Sequence, residues 1–110
     1  MEYITDSWNK KLKIIDKNII ELSGIKNIEV LYCGGCNSLT SIPNIEGLQE
    51  LNCRFCISLT YISNINGLKV LRCGSCTILT FIPNIESLQE LWCRSCTLLT
   101  FIPNIESLKK

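Results

Sequence analysis

The sequence predicts a solenoid of short coils, each stacked on the one before, with parallel strands on one side and little or no helix on the other. Three observations predict it. A unit recurs every 20 residues: "LYCGGCNSLTSIPNIEGLQE" at 31–50, "LNCRFCISLTYISNINGLKV" at 51–70, "LRCGSCTILTFIPNIESLQE" at 71–90 and "LWCRSCTLLTFIPNIESLKK" at 91–110. Seven positions of each unit are always apolar or cysteine, while most of the others drift between charged, polar and aromatic residues. The spacing within the unit leaves little room for a helix beside a strand and two turns. One such coil cannot bury its own apolar side chains, but a stack buries them coil against coil.

Each segment follows from the same pattern, beginning at the N-terminus. Residues 1–27 read as a cap. Ile19, Leu22, Ile25 and Ile28 carry the every-third spacing of the later units. Leu12 and Ile14 stand where a later unit has Leu-x-Cys, but one residue too close, so the cap holds a degenerate 19-residue repeat. Ahead of it, "MEYITDSWNKK" is expected to fold over the open end with Trp8 as a plug.

Residues 28–110 hold four repeats, starting at Ile28, Leu48, Leu68 and Leu88, and the start of a fifth at Leu108. In the second, Leu48, Leu51, Cys53, Cys56, Leu59, Ile62 and Ile65 are the inward positions. Leu51 and Cys53 alternate with period two, the mark of a strand with one buried face. From Cys53 onward the apolar residues come every third position. Pro43, Pro83 and Pro103 oppose a helix there. The invariant Thr40, Thr60, Thr80 and Thr100 suit a coil corner, where a hydroxyl satisfies an open backbone group. Asn44, Asn64, Asn84 and Asn104 suit a turn, bonding their own backbone or taking positive φ. The last coil has Leu88, Leu91, Cys93, Cys96, Leu99, Ile102 and Ile105 inward, with only Leu108, Lys109 and Lys110 to guard it. That end is expected to continue in a longer chain, or to be covered by a partner or a second copy.

The motif L-x-x-L-x-C-x-x-C-x-x-L-T-x-I-P resembles the leucine-rich repeat, whose ninth place takes Asn or Cys. Short cysteine-containing units of this kind are similar to those of leucine-rich repeat proteins of giant amoeba viruses. Cys at the sixth place departs from the family's usual Leu, and the variable segment is short, without room for a helix. The resemblance implies a curved solenoid with its parallel β ladder on the concave face, used to bind another protein.

Eight cysteines with +1 net charge and no histidine bound the chemistry. Cys33-x2-Cys36-x16-Cys53-x2-Cys56 fits the spacing of a zinc site. Trp92-Cys93-Arg94-Ser95-Cys96 imitates a redox motif, which belongs at a helix N-terminus. Both compete with a simpler reading: Leu and Ile columns recur as strictly as the cysteines, and free Cys packs as a small hydrophobe. The thiols are therefore expected in the core, with no cofactor and no metal. No acid–base or nucleophile constellation is visible, so no enzyme is expected. No signal-peptide order, sequon, basic stripe or membrane-length apolar run is present. The expectation is a cytoplasmic protein with neither nucleic acid nor membrane as partner.

The varying outward positions are where a partner would bind. The column between Leu and Cys reads Tyr32, Asn52, Arg72 and Trp92; the next reads Gly34, Arg54, Gly74 and Arg94; Phe55 stands where other units have Gly or Ser. Tyr, Trp and Arg most often dominate binding energy. Tyr32, Arg54, Phe55, Arg72, Trp92 and Arg94 are therefore the candidate patch for an unidentified protein. A zinc- or thiol-based function and an architectural module stacking end to end are the alternatives.

Overall fold

In the second unit Leu51 and Cys53 are wholly buried while Asn52 between them is not, and this alternation places one strand in each coil. The computed structural model describes residues 5–100 and 102–108, with side chains from Asn9 onward. Strands β1 (Thr5–Trp8), β2 (Lys11–Ile14), β3 (Val30–Tyr32), β5 (Glu50–Asn52), β7 (Val70–Arg72) and β8 (Glu90–Trp92) form one sheet, in the order β1-β2-β3-β5-β7-β8. Two short strands, β4 (Ser41–Ile42) and β6 (Tyr61–Ile62), pair on a second sheet. Among the described residues there is no helix. The molecule is a parallel β-solenoid of about four turns.

The register makes the repeat a physical stack. Leu31 lies beside Leu51, Leu51 beside Leu71, and Leu71 beside Leu91, so identical positions meet in neighbouring coils. In the first step Leu12 lies beside Leu31, an offset one residue shorter. Backbone bonds knit the coils beyond the strands: the amides of Cys33, Cys53 and Cys73 donate to the carbonyls of Asn52, Arg72 and Trp92, each at 2.8 Å. β1 turns back on β2 through Asn9 and Lys10, both at positive φ (47° and 62°), the geometry of a tight hairpin. The side chain of Trp8, and Lys109 and Lys110, lie outside what the structure describes.

Every inward column from Leu31 to Leu88 is buried, and the only partly covered side chains of the lattice are at the two ends. Three turns bend each coil. The turn Cys33–Cys36 has Gly35 at φ 75°; the same place is held by Phe55 (61°), Ser75 (59°) and Ser95 (63°). A second turn is closed by the amide of Leu39 on the carbonyl of Cys36, and a third by Leu48 on Ile45. The corner threonines act as hydroxyl donors: Thr60 Oγ1 reaches the carbonyl of Thr40 at 3.2 Å, and Thr100 that of Thr80 at 3.1 Å.

Two expectations are corrected. Asn44, Asn64, Asn84 and Asn104 are exposed and none has positive φ; the left-handed positions fall instead in the Cys-x-x-Cys turn and at Gly47 and Gly67. Ile102 is 46 % exposed, and Pro103 beside it is the buried residue. Its counterparts Ile62 and Ile82 are held inward by coils on both sides, and among the described residues the last coil has a neighbour on one side only.

Candidate functional site

The outward side chains of the six-stranded sheet form rows across the coils. One row is Lys13, Tyr32, Asn52, Arg72 and Trp92; the next is Lys11, Val30, Glu50, Val70 and Glu90. Beyond the strands, the Cys-x-x-Cys turns add Gly34, Arg54, Gly74 and Arg94 as a third row. Neighbouring coils are about 4.8 Å apart, so alternating Arg and Gly leaves room for long side chains to lie over the glycines. Arg54 does so: a Cβ on Gly74 would be 4.0 Å from its Nε.

This packing makes two grooves. One, of about 510 Å³, is lined by Arg54, Arg72, Gly74, Ser75, Trp92 and Arg94. The other, of about 360 Å³, is lined by Lys13, Lys17, Tyr32, Gly34 and Asn52. Of the six residues expected from sequence, Arg54, Arg72, Trp92 and Arg94 therefore come together, and Tyr32 lines the neighbouring groove. Phe55 lines neither. It projects 53 % exposed from its turn, with the Arg54 guanidinium carbon 5.6 Å from the ring centre. Arg72 Nη1 is 2.6 Å from a Glu50 carboxylate oxygen, and the Trp92 indole donates to Glu90 at 3.1 Å. Both acidic residues of the face are thus engaged along their own or a neighbouring strand. A larger groove, about 690 Å³, is lined by Asn84, Glu86, Asn104, Ile105, Glu106 and Ser107, whose hydroxyl donates to the backbone carbonyl of Leu88 at 2.7 Å.

The cysteines form two inner rows. All eight are free thiols, and seven are buried; Cys93, in the last coil, is half-buried. The second cysteine of each pair donates its Sγ–H to the carbonyl of the first cysteine one coil back: Cys56 to Cys33 and Cys76 to Cys53 at 3.2 Å, Cys96 to Cys73 at 3.1 Å. Each such thiol satisfies a carbonyl at the turn where the strand ends. Hydrogen bonding to Cys56, Cys76 and Cys96, with burial behind it, pushes Cys33, Cys53 and Cys73 well up. Burial pushes Cys36 up to about 11 and raises Cys93. In their ionised form Cys56 and Cys96 would instead accept from the thiols of Cys33 and Cys73, which draws Cys56 down and Cys96 down to about 6. Among the described residues no three His, Cys, Asp or Glu side chains converge as a metal site, and no helix is long and apolar enough to cross a membrane.

One feature was missed in the sequence. The position after the invariant Thr reads Ser41, Tyr61 and Phe81, and the Tyr61 and Phe81 rings lie 6.2 Å apart, tilted at 58°. Ile57, Ile78 and Leu98 are also exposed. The signal for it is in the repeat itself, where an aromatic directly follows the invariant Thr at Tyr61 and Phe81. Comparison with protein-family models, with curated proteins and with solved structures gave no match.

Proposed function

We propose that this β-solenoid is a short leucine-rich-repeat module that acts without catalysis, holding another protein against the outward, concave face of its main sheet. The reading rests on one observation: four of the six candidate residues, three arginines and a tryptophan, line a single groove. Such side chains supply most of the energy at protein interfaces. Phe55 adds a second support. A bulky residue in the left-handed region is strained, and strain of this kind persists where function holds it. Eight unpaired thiols suit the reducing cytoplasm.

Selection of displayed random 12-residue peptides on the purified chain tests the reading. Recovered peptides should bind at least about tenfold more weakly to the triple variant Tyr32→Ser, Phe55→Gly, Trp92→Ser, with its melting temperature kept. Equal binding to both proteins would contradict it, as would failure to recover any peptide.

A second reading is favoured by the last described coil. Leu91, Cys93 and Leu99 are only half-buried and Ile102 is exposed, whereas the same columns one coil back are at most 1 % exposed. Among the described residues no strand covers the outer edge of β8. A second copy of the chain, meeting this coil with its own, would bury that surface. The opposite edge of the sheet is antiparallel β1, which cannot continue the parallel register, so a two-fold pair is favoured over a filament.

A further inference from the structure

We propose that the groove over Gly74 is an oxyanion site that takes a phosphorylated side chain of the partner polypeptide. This rests on the reading of the outward face as a protein-binding surface, and gives that surface a chemistry. The floor is the backbone of Gly74 and Ser75, and the walls are Arg54 and Arg94 in the flanking coils with Arg72 on the adjacent row. Arg54 leans over the glycine toward this floor. Three arginines line this groove, and each guanidinium is a planar fork of donors matched to phosphate oxygens.

Charge decides the class of ligand. The one ion pair among the described residues is Arg72 with Glu50, so Glu50 offsets one of the three positive charges. Arg54 and Arg94 are left without a carboxylate partner. A groove with two uncompensated charges matches a phosphomonoester, which carries roughly −1.5 to −2 at neutral pH, better than a single carboxylate. Trp92, half exposed at the groove's side, and Phe55 beside Arg54 give a polypeptide apolar contact that inorganic phosphate cannot use. A separate groove at Tyr32 and Lys13 lies on the same outward face, and two grooves along one sheet suit an extended segment more than a small molecule.

The test is fluorescence anisotropy with labelled nonapeptide libraries carrying a central phosphoserine or phosphotyrosine, against twins with Ser, Tyr or Glu there. At least one phosphorylated library is expected to bind about tenfold or more tighter than its twins, and inorganic phosphate to compete. Arg94→Gln should remove most of that difference. Gly74→Leu keeps all three arginines but fills the floor; Gly74 is not at positive φ and a Cβ there would sit 3.4 Å from the Arg94 carbonyl, an ordinary contact. It should abolish the preference too, while Lys13→Gln in the neighbouring groove should preserve it. Equal binding of phosphorylated and plain libraries, or a preference that survives both variants, would overturn the proposal. So would tighter binding of decathymidylate than of any phosphopeptide, which would assign the groove to nucleic acid. If plain peptides bind and lose affinity in the aromatic triple variant but not in Arg94→Gln, the face stands and the oxyanion site falls; if nothing binds the face, both fall.

Discussion

Phe55 stands at φ 61° in a turn where Gly35 occupies the same place in the coil before. A side chain in the left-handed region costs about 1–2 kcal/mol, and Gly avoids it. Phe55→Gly is therefore expected to stabilise the fold by about 1 kcal/mol while weakening partner binding, and Gly35→Phe to cost a similar amount. Nothing lies within 4 Å of a Cβ at Gly35, so the second change isolates backbone strain from collision. Urea denaturation midpoints check both. The one sign of this conformation in the sequence was Gly35 at the same place of the preceding unit; Phe itself carries no turn signal. The thiols give a residue-scale prediction of another kind. Cys33, Cys36, Cys53 and Cys73 titrate above the ordinary thiol value in the folded chain. Above that ordinary value the unfolded chain loses these protons and the folded chain keeps them. The stability they contribute is thus complete below pH ~8.5 and is lost as the pH rises through the raised values. Cys96, drawn down to about 6, acts in the opposite sense and adds stability as the pH rises through neutrality toward ~8.5. Denaturation midpoints should therefore fall only between pH ~8.5 and ~10.5, where the raised thiols dominate; a midpoint rising between those two values would contradict the buried-thiol account.

Turns and ladders are the elements that hold one coil to the next. The turn from Ile45 to Leu48 has Gly47 at φ 85° and its counterpart has Gly67 at 84°, but Ser87 fills the same place without positive φ. Ser87 instead donates its hydroxyl to the carbonyl of Leu68 at 2.7 Å, reaching across to the preceding coil. The two turn forms are thus not interchangeable. Gly67→Ala is expected to destabilise by about 1 kcal/mol, whereas Ala at position 87 should cost only the hydroxyl's bond, about 0.5–1.5 kcal/mol, without strain. Thermal melts of the two variants, with Ser87→Gly as a third, would separate strain from bonding. At this scale much was legible. The Leu-x-Cys alternation located β3, β5, β7 and β8, and the Thr column announced its role at the corners. The Asn column misled, since its residues are exposed and take ordinary φ; composition suggested a turn device that this backbone builds with Gly, Phe and Ser instead. The Arg72–Glu50 contact was not legible either, because it joins residues of neighbouring rows on adjacent coils and depends on register.

The whole molecule is one stack, 36 Å in its longest dimension, and its two sheet edges differ. The repeat period made the stack readable from sequence; what it could not supply was how the last described coil packs, with a described neighbour on one side only. Ile102 and Pro103 exchange places there, against the column's rule. Ile102→Lys is accordingly expected to leave folding intact and to weaken self-association, because the side chain is 46 % exposed in the last coil. Sedimentation at micromolar concentration should show the parent chain above its 12.5 kDa monomer mass and the variant nearer to it. A parent that stays strictly monomeric would count against the paired end. Cys96, drawn down to about 6 in that same coil, should be the first thiol alkylated, and more slowly as the concentration rises and the coils pair. The claim on which the account turns is that the Cys-x2-Cys pairs are packing and that the work lies on the outward face. Native mass spectrometry of the reduced chain, equilibrated with zinc and exchanged into metal-free buffer, tests it most directly. The account predicts the bare mass, as monomer or dimer, with eight thiols that count as free on unfolding. Retention of one zinc for every two Cys-x2-Cys pairs would contradict it.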